Sequence, residues 1–338
     1  MRLIHRLRER ISLRLERRSL QVRALLKGRE LECIVDRTDS MPPGPILVST
    51  VRNEAVRLPH FIDHYRNLGI VHFLIVDNGS GDETPAILEQ GPDISVWRTE
   101  GSYKASRFGV DWVNALLARH GAGRWIVVAD PDELLIYPHH DTRRLPALTR
   151  WLEAQGRESF PTMLLDLYGD RPVRETFVQP GGDPVEAAPW FDAFNYTQDR
   201  NWRYHNLWIQ GGPRQRIHFT LNPREAPALN KIPLVRWRKG FVYKTSTHNL
   251  LPRRLNRTYA TTGAPYTSGV LLHTKFTHVL DDKVREEMER RQHYDDSAEY
   301  RAYAARGGDV CLWSTQSMRY QNWQQLQSLG LMSDGGWH

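Results

Sequence analysis

Asp130, Asp132 and Glu133 fall within one four-residue stretch, Asp130-Pro131-Asp132-Glu133, directly after the apolar run Trp125-Ile126-Val127-Val128-Ala129. A short apolar run that ends in turn residues reads as a buried strand, so the acids are delivered together at its exposed end. Carboxylates one residue apart offer hard oxygen ligands to Mn²⁺ or Mg²⁺, ions that keep coordination positions open for phosphate oxygens. Asp130 and Asp132 are the expected metal ligands. The plain alternative is an acidic turn without a ligand, because Asp-x-Asp alone is common. A second set lies in Leu272-His273-Thr274-Lys275-Phe276. Imidazole can ligate a metal, and Lys275 can pair with a phosphate as a point charge. For His273 the alternative is a strand histidine held by hydrogen bonds. Thr247-His248-Asn249 is a weaker candidate of the same kind.

The elements that must position these residues alternate. Strands are expected at residues 46–50, 71–76, 94–97 and 125–129, with helices at 54–68, 84–89 and 104–120 between them. Alternation of this kind predicts an α/β fold with a mostly parallel central sheet and flanking helices. In such sheets ligands bind at the carboxyl ends of the strands. The polar clusters fall there: Arg52-Asn53-Glu54 after the first strand, Asp77-Asn78 after the second and the acidic turn after the fourth. Met41-Pro42-Pro43-Gly44-Pro45 marks the boundary before this unit. Further on, a strand is expected at 162–167, long loops over 170–230, a strand at 270–276 and a charged helix at 281–294. The expected division is a basic helical segment at 1–40, a catalytic unit at 41–280 whose halves are 41–138 and 139–280, and a helical segment at 281–338.

Three ordered motifs, Thr50-Val51-Arg52-Asn53-Glu54, Val76-Asp77-Asn78-Gly79-Ser80-Gly81-Asp82 and Ala129-Asp130-Pro131-Asp132-Glu133, resemble the family 2 glycosyltransferases. The resemblance is to the bacterial branch with an "RNE" opening and a "DPDE" metal motif, and covers residues 46–138. It implies the GT-A fold of nucleotide-diphospho-sugar transferases, a nucleotide-sugar donor with UDP-sugars favoured, and Mn²⁺ or Mg²⁺ at Asp130 and Asp132. It also implies that Arg52, Asn53, Glu54, Asp77, Asn78, Lys104, Asp130 and Lys275 bind the donor, and that the late histidine, His273, completes the metal or diphosphate site. Asn78 departs from the pattern, since many members carry a second Asp there, and this puts the nucleotide in question. The implied acceptor is a glycan or a lipid-linked glycan, in bacterial surface polysaccharide or lipopolysaccharide assembly. Displacement at a sugar's anomeric carbon needs a group that takes the acceptor's proton. Asp166 and Asp170, in Leu164-Leu165-Asp166-Leu167-Tyr168-Gly169-Asp170, and Glu133 are the candidates, and the sequence does not choose among them. Trp190, Trp202 and Trp208 are candidates to stack on sugar faces or to fill the core.

Composition sets the partners. Of 46 Lys and Arg against 39 Asp and Glu, ten basic and three acidic residues fall within positions 1–30. That segment therefore carries the whole formal charge of +7, and the rest of the chain is neutral. Residues 3–26 read as one amphipathic helix, with Leu3, Leu7, Ile11, Leu15 and Val22 at helical spacing among arginines. The pattern fits attachment to an anionic membrane surface, or docking on the body or on a partner. Nucleic acid is not an expected partner, because the segment has no interleaved aromatics. Mean hydropathy is −0.57 and no apolar run is long enough to span a bilayer. Cys33 and Cys311 form no metal-type spacing and no disulfide framework. The expectation is a cytoplasmic protein, peripheral on the inner face of the cytoplasmic membrane. Two other readings stay open: a non-catalytic nucleotide- or glycan-binding module of the same fold, and a nucleotidyltransferase.

Overall fold

The computed structural model describes residues 2–260, 265–290 and 309–338. The chain opens with α1 (Arg2–Lys27) and β1 (Glu32–Val35), followed by β2 (Ile46–Val51), α2 (Leu58–Leu68), β3 (His72–Asp77), α3 (Thr84–Gln90), β4 (Ile94–Arg98), α4 (Val110–His120) and β5 (Trp125–Val128). Next come β6 (Glu133–Ile136), α5 (Leu145–Ala154), β7 (Ser159–Tyr168), α6 (Pro184–Ala187), β8 (Trp190–Asp192), β9 (Tyr196–Asn201), β10 (Asn206–Gly211) and α7 (Gly212–His218). The last part holds β11 (Asn230–Arg236), β12 (Val242–Thr245), β13 (Asn249–Leu251), β14 (Gly269–Phe276), α8 (Val279–Arg290), β15 (Ser317–Arg319) and a final helix, Trp323–Ser328.

The main sheet runs β1-β4-β3-β2-β5-β11-β7-β14-β6, with β8 beside β7 and β15 beside β8. β4, β3, β2 and β5 are parallel neighbours, and β14 is parallel to β7. β1, β11 and β6 run against their partners. The result is a mixed α/β architecture whose central strands are mostly parallel, flanked by helices on both faces. Ile46, Val48, Leu74 and Val76 pack on Val113, Leu116 and Leu117 of α4, while Leu47, Val51, Phe73 and Ile75 face α2 and α5. Burial on both faces explains why these strands read as continuous apolar runs rather than alternating ones.

α2 shows how a helix is fixed for the site. Pro59 stands in its first turn, Leu58, Phe61, Ile62, Tyr65 and Leu68 repeat at helical spacing and are buried, and Gly69 closes it at φ 97°. Full burial of each large apolar side chain contributes roughly 1.5–3 kcal/mol. The Tyr65 hydroxyl then donates to the Glu133 carbonyl at 2.9 Å, which ties α2 to the strand after the acidic turn.

Several elements differ from the sequence-based expectation. β11, an interior strand, was not expected. Pro233 interrupts it, and proline lacks the N–H that an interior strand needs. The register against β7 slips between Lys231 and Leu234, so the proline sits in a bulge. β6 was also missed: after the acidic turn the chain doubles back as an antiparallel partner of β14. The stretch 170–230 holds β8, β9, β10 and α7 rather than loops alone. α4 starts at Val110, after turns over residues 103–109, instead of at 104. α8 covers 279–290, and positions 291–294 of the expected helix lie outside the described residues. β15 joins the main sheet, and Trp323, Leu326, Met332 and Trp337 enter the main core, so the C-terminal stretch is built into the body. β1 likewise joins the sheet edge, and α1 lies against α4 and β12.

Candidate metal and nucleotide site

The carboxyl ends of β2 and β3 lie side by side, with Val51 in register with Asp77. Asp77 is buried, and its Oδ1 accepts hydrogen bonds from the Ser80 N–H and hydroxyl, which closes the turn after β3. Asn78 Nδ2 donates to the carbonyls of Thr99 and Gly101 at 3.0 Å each, joining the loop after β4 to this turn. Arg52 donates from one guanidinium nitrogen to the carbonyls of Asn78 and Gly79 at 2.6 Å. Gly79 has φ 68°, and a Cβ there would come within 3.1 Å of that nitrogen and 2.6 Å of Glu100 Oε2. A side chain at this position would strain the backbone and force the Glu100 carboxylate aside. Asn53, at φ 50°, accepts from the Gly81 N–H at 2.8 Å.

The acidic turn is held from below by two buried chains of charge. In the first, Lys231 Nζ on β11 lies 2.8 Å from Glu133 Oε1, and Glu133 Oε2 accepts from the Asp130 backbone N–H at 3.3 Å. In the second, Arg214 Nε donates to Asp166 Oδ2 at 2.7 Å, Asp166 Oδ1 pairs with His273 Nδ1 at 2.6 Å, and His273 Nε2 stands 3.5 Å from Asp132 Oδ2. The sheet register makes this chain possible, because β14 lies between β7 and β6 and places His273 opposite both Asp166 and Glu133. Asp132 is also pinned through its backbone, whose carbonyl accepts from the Thr274 N–H at 2.8 Å.

These pairings set the charge states. Burial works against a charged His273, but the carboxylates of Asp132 and Asp166 outweigh it and raise its pKa, which favours the protonated ring between them. Burial likewise opposes ionisation of Asp132, and His273 together with Arg57 and Lys275 holds it well below the usual carboxylate range. Asp166 is lowered against burial by Arg214 and His273. Lys231 is raised despite burial by Glu133 and Asp130. Asp130 faces solvent at the end of β5, yet loss of solvation on its inner side and the Glu133 carboxylate push it up to about 7.

Among the described residues no three His, Cys, Asp or Glu side chains are placed to hold a metal ion by themselves. A Mg²⁺-type ion needs less from the protein, since one or two carboxylates suffice when water and substrate phosphates complete the shell. Asp130 and Asp132 fit that donor set. His273 does not fit it as well, because both of its nitrogens already face carboxylates.

No family model and no curated protein matches the chain. Solved structures that it resembles in part include a mannosyltransferase from Pyrobaculum calidifontis in complex with GDP-Man and Mn²⁺. That match is 19% identical, covers 49% of this chain and 47% of the other, and has a TM-score of 0.26. Another is a 4-diphosphocytidyl-2C-methyl-D-erythritol synthase, 17% identical over 38% of this chain and 62% of the other, with a TM-score of 0.25. In each case the chain spans less than two thirds of the structure it matches.

The remaining candidates are placed as follows. Glu54 is buried, and its carboxylate is bound by Arg57 at 3.3 Å and by Lys283 of α8. Lys283 also donates to the Arg52 carbonyl at 3.0 Å. Glu286 of the same helix accepts from the Arg52 side chain and from Asn53 Nδ2. α8 thus lies across Arg52, Asn53 and Glu54, three of the eight residues expected to meet the donor. Lys275, buried on β14, offers its carbonyl to Arg57 at 3.4 Å. Lys104 is exposed in the turns before α4. Asp170 stands in the exposed loop after β7, with Arg171 at 3.6 Å. Trp202 is exposed, whereas Trp190 and Trp208 are half-buried. His248 is held by the Asn230 carbonyl at 2.6 Å, as the structural alternative expects.

Lys231 and Arg214 escaped the sequence reading. The trace of Lys231 is a single lysine directly before the apolar run Ile232-Pro233-Leu234-Val235, since a buried strand lysine requires an acid. Arg214 follows the breaker cluster Gly211-Gly212-Pro213, which points to a loop and hides the short helix α7 that carries it.

Proposed function

We propose that this protein transfers a sugar from a nucleoside-diphosphate donor to a glycan or lipid-linked acceptor, with a divalent cation held by Asp130 and Asp132. The observation that carries this reading is the pair of carboxylates on one turn at the end of β5, braced by His273 and Lys231 beside the polar ends of β2 and β3. A divalent ion bound there supplies the charge that a departing nucleoside diphosphate requires. The chain's own residues do the rest. Arg214, Asp166 and His273 fix Asp132, and Lys231 and Glu133 fix the backbone at Asp130. His273 is therefore assigned to orienting Asp132 rather than to ligating the ion. Arg52, Asn53 and Asp77 border the nucleotide position. Asp166 and Glu133 are buried and engaged by cations, which unsuits them to accept a proton from an incoming hydroxyl. That leaves Asp170, exposed beyond β7, as the candidate base.

A small cavity of about 30 Å³, room for about two water molecules, opens beside Asp130 between β2, β5, α4 and the chain around Thr247. Among the described residues, Ser49 Oγ, Thr50 Oγ1 and Thr247 Oγ1 line it as buried hydroxyls without a hydrogen-bond partner. Each such group costs roughly 1–3 kcal/mol until it is satisfied. Ordered water would satisfy them.

The test is a screen of UDP-, GDP- and dTDP-sugars, UDP-sugars first, with Mn²⁺ and glycan acceptors. Release of nucleoside diphosphate that EDTA stops supports the proposal. Silence with every donor argues against it, and pyrophosphate as the product would indicate nucleotidyl transfer instead. The cover by α8 yields a further expectation. Glu286→Ala frees Arg52 and Asn53 and should tighten nucleoside-diphosphate binding about fivefold, the worth of one partly buried charge-assisted contact. Calorimetry with UDP and GDP checks this, and unchanged or weaker affinity for both would remove α8 from the donor site.

A further inference from the structure

We propose that the outward face of α1 is a docking surface for an anionic lipid bilayer, with the helix lying flat on the membrane and the body held against its other side. This inference does not rest on the glycosyl-transfer reading.

α1 has two faces with different jobs. Its inner face is built into the protein: Leu13 and Ala24 are buried, Leu13 and Leu20 pack with Val242, Leu251 and Tyr204, and Gln21 Nε2 donates to the Gly240 carbonyl at 2.7 Å. Arg23 reaches Asp111 at 2.9 Å and the Ala105 carbonyl at 2.7 Å, which anchors the helix beside the loop before α4. The outer face carries Leu7, Ile11, Leu15, Val22 and Leu25, spaced by three, four or seven residues and each between 47% and 62% exposed. The docking expected as the alternative to membrane attachment thus takes place through the inner residues, and Leu7, Ile11, Leu15 and Val22 of the stripe singled out in the sequence remain outside, the Leu3 side chain lying outside the described residues.

Charge says what covers the stripe. The helix contains two acids, Glu9 and Glu16, and both are turned to the body. Glu9 pairs with Arg253 at 2.7 Å, and Glu16 meets Arg203, Lys244 and the Tyr204 hydroxyl at 3.0–3.5 Å. Glu30, just past the helix, pairs with Lys27 and accepts from Trp112 Nε1. Arg8, Arg10, Arg14 and Arg18 are exposed, and among the described residues none of them joins an ion pair. The outer face is therefore apolar and cationic, its acids having been withdrawn inward. A second copy of the chain would bring the same cationic face and repel it. A phosphate backbone of nucleic acid would meet the arginines but leave the leucines in water. An anionic bilayer satisfies both, with headgroups at the arginines and acyl chains under the stripe. Among the described residues no helix is long and apolar enough to cross a membrane, so α1 rests on the surface.

The experiment uses the full chain at low ionic strength with sedimentable vesicles of phosphatidylcholine alone or mixed with phosphatidylglycerol. The protein should pellet with the mixed vesicles, remain in solution with phosphatidylcholine, and be released as salt is raised. The pair Ile11→Glu and Leu15→Glu, and separately the pair Arg14→Glu and Arg18→Glu, should each lower the bound fraction at least about tenfold. Because these positions face outward, the melting temperatures should stay at the wild-type value. Wild-type protein left in the supernatant with the mixed vesicles overturns the proposal, as does binding that neither pair reduces. A dimer that binds no vesicles and is split by Ile11→Glu with Leu15→Glu would assign the face to a second copy and overturn it too.

Discussion

Asp132→Asn is expected to lower ion-dependent donor turnover at least about 100-fold while the protein stays folded, and Asp130→Asn should do the same. The size follows from the role: changing groups that merely orient a metal ligand costs about 10–100-fold, and loss of a ligand's charge costs more. Each substitution keeps shape and removes one negative charge from the cation's position. The two differ in what they do to the fold. Asp132 faces the buried His273 ring and favours its protonated form, so Asp132→Asn leaves that ring with Asp166 alone and should lower the melting temperature by a few degrees. Asp130 stands near the Glu133 carboxylate and gains nothing from it, so Asp130→Asn removes a repulsion and should melt at or above the wild-type temperature. Diphosphate release at saturating Mn²⁺, measured beside thermal unfolding, separates the two. Both variants active in EDTA, or Asp130→Asn inactive only because it unfolds, would reject the assignment.

The acidic turn was legible because both of its causes are local. An apolar run ends, a proline turns the chain, and two carboxylates follow within three residues. The parallel strands β2, β3, β4 and β5 were legible for the same reason, since burial on both faces writes a continuous apolar run. What surrounds the turn comes from far along the chain. Lys231, His273 and Arg214 lie about 80 to 140 residues beyond Asp130, and their meeting depends on β11 and β14 entering between and beside earlier strands. No short-range pattern encodes that. Pro233 actively hid β11, because a proline in a run argues against an interior strand unless a bulge absorbs it. Asp166 and Glu133 illustrate the consequence. Their types suit proton transfer, but their partners, invisible in sequence, turn them into buried struts. The same holds for α1, whose apolar stripe was apparent, whereas the smaller inner set of Leu13, Leu20 and Ala24 that docks it was not.

The second large effect is on stability and concerns Lys231. Its ammonium is buried against Glu133, and the pair sits directly under the Asp130 backbone. Lys231→Met keeps the length of the side chain but strands the Glu133 carboxylate in a low-dielectric site beside Asp130. Removing one partner of a buried ion pair costs about 3–5 kcal/mol, chiefly because the remaining charge is left uncompensated. Replacing both partners with neutral groups of similar shape escapes most of that cost. The double variant Lys231→Met with Glu133→Gln should therefore recover to within about 1 kcal/mol of wild type, because the new side-chain amide keeps an oxygen able to accept from the Asp130 N–H. Guanidinium unfolding of the two variants gives both numbers. If the ion pair also sets the turn's geometry, Lys231→Met should weaken Mn²⁺-dependent turnover even at temperatures where it is fully folded, and the double variant should regain part of it. A single variant within about 1 kcal/mol of wild type, or a double variant no more stable than the single one, would mean that Glu133 is satisfied by something other than Lys231.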